Sequence, residues 1–155
     1  MLTADIVITA DCWQEEPGAE DIVQRAIGAA AGAAPEQTGR AELAVMLTDD
    51  AGICALNHDW RGIDRPTNVL SFPASALPDN GDQPRALGDI AIAYETTRRE
   101  ALDENKPFGH HLSHLAVHGF LHLIGYDHET DDDAATMEEL ERQILARLDI
   151  PDPYA

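Results

Sequence analysis

The stretch His114-Leu115-Ala116-Val117-His118-Gly119-Phe120-Leu121-His122-Leu123-Ile124-Gly125-Tyr126-Asp127-His128 holds four of the chain's seven histidines. His114, His118 and His122 are four residues apart, and a helix stacks such residues along one face. At 1.5 Å rise per residue the outer two stand about 12 Å apart, so the three cannot share one ion. A neighbouring pair can, if a further ligand arrives from elsewhere. Gly125 supplies the route, because a glycine can end the helix in a left-handed cap and turn the chain back. His128 then swings in beside His118 and His122. The pattern H-x-x-x-H-x-x-G-x-x-H is the ligand spacing of a metzincin-like zinc site.

One residue of that pattern is missing. A zinc protease carries its general-base Glu directly after the first ligand, where this chain has Gly119. Peptide hydrolysis at zinc relies on that carboxylate to take the proton of water. Ligands without the base predict a metal enzyme other than a protease. His114, one turn above the ligand pair, is either a supporting or catalytic group behind the metal or a plain helix-face residue. His110 and His111 lie near the helix start, where the dipole disfavours positive charge, and are expected to be solvated.

At 155 residues with 44% hydrophobic content, the chain is expected to form one domain spanning 1–155 with an ordinary core. No apolar run approaches the roughly 18 to 20 residues of a membrane span, so no membrane association is expected. The N-terminal residues show no signal-peptide pattern. Cys12 and Cys54 are far apart and in no metal-like spacing, which suits a reducing cytoplasm. The net charge of −19 argues against general affinity for nucleic acid, which needs a basic face. Of the ten basic side chains, nine are Arg. A polyanionic substrate would have to be held by local Arg groups and the metal, against the overall field.

Asp5 to Ala10 is β-branched and reads as a first strand. Ile22, Val23, Ala26, Ile27 and Ala30 recur at helical spacing across residues 19–33, with Gly32 and Pro35 at the end. Ala44 to Thr48 is apolar without alternation, which predicts a strand covered on both faces. Thr48 or Asp49 can cap a short helix carrying Ile53, Leu56 and Trp60. Val69 to Phe72 and Leu87 to Ala93 are further strands, expected to pair as a hairpin across a loop at 74–86 containing Pro78, Asn80-Gly81 and Pro84. A helix from Tyr94 to Leu102 precedes Pro107, which opens the histidine helix. Thr130 or Asp131 caps a last helix with Met137, Leu140, Ile144 and Leu148 in one stripe, expected to serve packing alone. The expected fold is α/β (or α+β): a small, mostly parallel four-stranded sheet with about five helices.

Arg61 is expected to lie in a polar loop just before a strand, a common place for functional groups. Beside a metal, its guanidinium could clamp a phosphate by two parallel hydrogen bonds. Alternatively it is a surface Arg paired to Asp59 or Asp64. Asn57, Thr67, Ser71 and Asp89 are expected to satisfy buried backbone groups.

Three blocks, Asn57 to Phe72, Leu87-Gly88-Asp89-Ile90 and His118-Gly119-x-x-His122-Leu123-x-Gly125-Tyr126-Asp127-His128, together resemble the YbeY family of bacterial metal-dependent endoribonucleases, or rRNA maturation factors. Their order and separation cover nearly the whole chain, and the first 40 residues match in general pattern only. The resemblance implies zinc ligands at His118, His122 and His128, and a cleft arginine at Arg61. It implies a cytoplasmic α/β protein that cuts single-stranded RNA. The expected roles are small-subunit rRNA processing and ribosome quality control, in contact with ribosomal proteins or ribosome-associated factors. Asn68 stands where Asp is common in the family. Two other functions stay open at this point: a zinc hydrolase of another substrate class, and a non-catalytic, zinc-stabilised ribosome assembly factor.

Overall fold

β-Branched side chains at Ile6 and Val7 favour an extended chain. The computed structural model, which describes residues 2–35, 40–74 and 84–155, places β1 at Leu2–Ile8. A 3-10 helix (Asp11–Glu15) then buries Trp13, whose indole Nε1 donates to the Thr48 carbonyl at 2.7 Å. The first α-helix, α1 (Ala19–Ala33), occupies the span its apolar spacing predicts. It is followed by β2 (Ala41–Thr48), α2 (Asp50–Arg61), β3 (Val69–Pro73), β4 (Arg85–Ala93), α3 (Tyr94–Asp103), α4 (Phe108–Leu123) and α5 (Asp131–Ala146). Of the loop expected at 74–86, Pro78 and Asn80-Gly81 lie outside the described residues, and Arg85 and Ala86 already belong to β4.

The caps follow local chemistry. Asp49 accepts from Gly52 N at 2.8 Å to start α2, and Thr130 accepts from Asp133 N at 3.1 Å to start α5. Pro107 is the residue just before α4 rather than its first member, with φ −59° and ψ 143°. An extended ψ there lets the helix begin at Phe108.

The sheet runs β1-β2-β4-β3, with β1 and β4 parallel to β2, and β3 antiparallel to β4 as a hairpin neighbour. Among the described residues a mostly parallel four-stranded sheet is accompanied by five α-helices, in line with the expected α/β architecture. Side chains alternate across the sheet. On one face Leu43, Val45, Leu47, Ile90 and Ile92 pack with α1, α4 and α5 in the main core. On the other, Ala91 and Ala93 join Ile53 of α2 and Leu70 of β3 in a smaller cluster.

Two expectations need correction. β2 is not covered on both faces: Glu42 is exposed and Ala44 and Met46 are half-buried, alternating with fully buried neighbours. On that side α2 packs over β3 and β4, and among the described residues Val7 of β1, opposite Met46, stays exposed. His111 is not solvated either. It is buried, and its Nε2 lies 2.8 Å from Glu100 Oε1 on α3. Burial holds its pKa below the ordinary histidine value, against the opposing pull of Glu100. Glu100 also accepts from Asn68 Nδ2 at 3.0 Å, which ties the start of β3 to α3. Among the described residues no helix is long and apolar enough to cross a membrane.

Candidate metal centre

Helix α4 is apolar around most of its circumference. Leu112, Leu115, Ala116, Val117, Phe120 and Leu121 are all buried. His114, His118 and His122 form the remaining strip, each partly exposed. The helix ends as its glycine predicts. Gly125 has φ +105°, its N–H reaches the His122 carbonyl at 3.1 Å, and Tyr126 N–H reaches Leu121 O at 3.0 Å. That paired 6→1 and 5→2 closure reverses the chain within three residues. Asp127 Oδ1 accepts from His128 N at 2.8 Å and steadies the returning segment.

The turn brings His118, His122 and His128 together, with one nitrogen of each within 4.8 Å of the others. The His128 ring stands 5.6 Å from that of His118 and 5.0 Å from that of His122, centroid to centroid. His122 Nδ1 donates to the Tyr126 carbonyl at 3.0 Å, and His118 Nδ1 lies 3.3 Å from Glu141 Oε1. With both protons on Nδ1, two bare Nε2 lone pairs face each other at 3.0 Å. Such a pair repels unless a cation stands between, so the donor set fits a metal that takes imidazole ligands, zinc among them. Burial, then the neighbouring imidazoles of His118 and His128, hold the pKa of His122 down, and a neutral ring is the form that ligates.

A carboxylate that the sequence analysis does not include stands behind His114 and His118. Glu141 of α5 is fully buried. Its Oε2 lies 2.6 Å from His114 Nε2, and Tyr154 Oη donates to the carboxylate at 2.9 Å. Burial alone would raise its pKa, but hydrogen bonds from His114 and His118 outweigh it and pull the carboxyl down to about 2. The last helix therefore does more than pack: Met137 and Ile144 of the expected stripe are buried, Leu140 and Leu148 pack partly buried against the same core, and Glu141 and Leu145 are buried beside them. An acid four residues from both Met137 and Leu145, on a core-facing row, was the available signal.

Arg61 is the last residue of α2, not a loop residue. Asn57, one turn earlier, donates from Nδ2 to Arg65 O at 2.9 Å and holds the following turn against the helix. Arg61 is exposed and lines the same cleft of about 680 Å³ as His118, His122 and His128. Among the described residues it makes no ion pair. Asp59 pairs with His58, and Asp64 accepts from Cys54 Sγ at 3.7 Å. Ser71 does satisfy a backbone group, donating to Gly119 O at 2.9 Å.

Gly119 shows why no protease base stands after His118. A Cβ there would lie 3.0 Å from Ile90 Cγ2 and 3.2 Å from Ser71 Oγ, since α4 presses onto β4 and β3 at this point. Replacing Gly119 with Glu should cost about 3 kcal/mol or more, through overpacking and an unpaired buried charge. The expected result is a fall in Tm of roughly 6–12 °C, read by calorimetry, with no casein hydrolysis gained.

These features define a class: an α/β protein with a metzincin-like histidine motif, an arginine in the same cleft, and no carboxylate after the first histidine. The sequence model of the family described as endoribonuclease YbeY matches residues 8–149. The endoribonuclease YbeY of Nitrobacter hamburgensis is 67% identical over 154 residues, covering 97% of this chain and 81% of that protein. That of Bradyrhizobium diazoefficiens is 68% identical over 155 residues, covering 97% and 84%. The solution structure of TM1509 from Thermotoga maritima superposes with a TM-score of 0.62 at 25% identity, covering 94% of this chain and 88% of that one. The chain belongs to the endoribonuclease YbeY family.

Proposed function

We propose that this chain is a zinc-dependent endoribonuclease acting on single-stranded RNA in small-subunit rRNA maturation and ribosome quality control, in the cytoplasm. His118, His122 and His128 are the metal ligands, and Arg61 is the catalytic residue at the phosphate. The observation that carries this is the juxtaposition, in one cleft, of two opposed Nε2 lone pairs 3.0 Å apart with a guanidinium that makes no ion pair among the described residues. Membership of an endoribonuclease family supplies the substrate class. When bound, the ion offers Lewis-acid charge to a phosphodiester and its attacking oxygen. Arg61 orients the phosphate by bidentate hydrogen bonds and offsets charge that develops on its oxygens. The chain's net charge of −19 keeps RNA from binding elsewhere, and supports docking on basic ribosomal proteins.

Metal removal tests this. Purified protein stripped by a chelator should stop cutting single-stranded RNA, and added Zn²⁺ should restore cleavage. If the metal-loaded protein, freed of contaminating nucleases, leaves RNA intact, the non-catalytic assembly factor becomes the better account.

A further inference from the structure

Three hydrogen-bond donors converge on the buried Glu141 carboxylate. His114 Nε2 lies 2.6 Å from Oε2, His118 Nδ1 lies 3.3 Å from Oε1, and Tyr154 Oη is 2.9 Å from both oxygens. We propose that Glu141 is a positioning residue for the metal centre: it keeps the His118 proton on Nδ1, so that Nε2 points bare toward His122, and is itself held in place by His114 and Tyr154. This rests on the metal reading above.

The acceptor count carries the argument. A carboxylate donates nothing and offers about four lone-pair sites, so it can accept from all three groups at once. His114 Nδ1 is buried with no partner, which places that ring's proton on Nε2, aimed at Glu141. The Tyr154 hydroxyl, 3.2 Å from the same Nε2, is then left to donate to the carboxylate. Tyr154 is in turn fixed from outside. Its N–H donates to Asp152 Oδ1 at 2.8 Å, Arg142 Nε donates to Asp152 Oδ2 at 3.0 Å, and the Arg142 guanidinium carbon lies 5.4 Å from the Tyr154 ring centroid. Segment 152–154 thus closes over the carboxylate that orients a ligand histidine. A hydrogen bond to the far nitrogen of a ligand histidine fixes its tautomer and raises its basicity.

Glutamine at 141 keeps the shape but must turn its NH₂ toward one of three donors. The test is Co²⁺ binding, followed by the visible d–d band and by chelator competition, for wild type, Glu141→Gln and Tyr154→Phe, alongside metal-free melting. Glu141→Gln should weaken Co²⁺ binding about 10- to 100-fold and shift the band. Tyr154→Phe, which removes one donor at a partly exposed site, should weaken it several-fold with metal-free melting unchanged. If wild type binds Co²⁺ and both variants bind it equally with the same band, Glu141 serves packing only and this inference falls alone. If Glu141→Gln does not fold, Tyr154→Phe decides by the same two readings. If wild type binds no Co²⁺, the metal reading itself falls, and this one with it.

Discussion

Replacing His122 with alanine is expected to abolish metal retention and RNA cleavage together. His122 is the middle member of the cluster. Its Nε2 is 3.0 Å from that of His118, its ring is 5.0 Å from that of His128, and its Nδ1 is anchored on the Tyr126 carbonyl. Without it, His118 and His128 offer two nitrogens to an ion that structural and catalytic zinc sites hold with at least three. The loss of affinity should exceed the roughly 10- to 100-fold that removing an outer partner costs. The fold should survive. Alanine is the best helix former, and the side chain removed is only half-buried, so metal-free stability should change by about 1 kcal/mol or less. Metal content and cleavage measured on one preparation check this. A variant that binds no metal yet cuts RNA at the wild-type rate would end the model.

Arg61→Ala is expected to separate binding of metal from chemistry. The guanidinium is exposed, at the C-terminus of α2, and makes no ion pair among the described residues, so its removal should move stability by less than about 0.5 kcal/mol. Metal content should match wild type, because Arg61 offers the ion no ligand. Cleavage should fall about 10²- to 10³-fold, the range measured when one group stabilising transition-state charge is lost. Arg61→Lys should recover only part of that, since an ammonium cannot form the two parallel hydrogen bonds of a guanidinium. Single-turnover cleavage of one defined RNA, with metal measured in parallel, distinguishes the variants. Equal cleavage by wild type, His122→Ala and Arg61→Ala would identify a contaminating nuclease instead.

The contrast between His111 and His128 shows how far local pattern reached. A glycine and a count of residues place His128 beside His118 and His122, because a left-handed cap reverses the chain within one turn and needs no distant partner. The place of His111 near a helix start predicts a solvated ring. What buries it is α3, whose Glu100 is eleven residues earlier and faces it across the helix pair. Arg61 lies between these cases. Its residue type suggested phosphate chemistry, but its place in the histidine cleft depends on how α2 and the start of β3 sit against α4.

By itself the sequence determined the order of strands and helices, the hairpin of β3 and β4, the cap at Gly125 and the histidine spacing, and it narrowed two helix starts to Thr48 or Asp49 and to Thr130 or Asp131. All are set by interactions within a few residues or by the 3.6 and 2.0 periodicities. Only the tertiary structure decided that β2 is covered on one face more than the other, that Gly119 is pinned between Ile90 and Ser71, and that Glu141 and Tyr154 stand behind His114 and His118. Those outcomes depend on which surfaces are pressed together across 20 residues or more. A buried carboxylate is stable only where donors from other segments converge on it, and no local pattern carries that information.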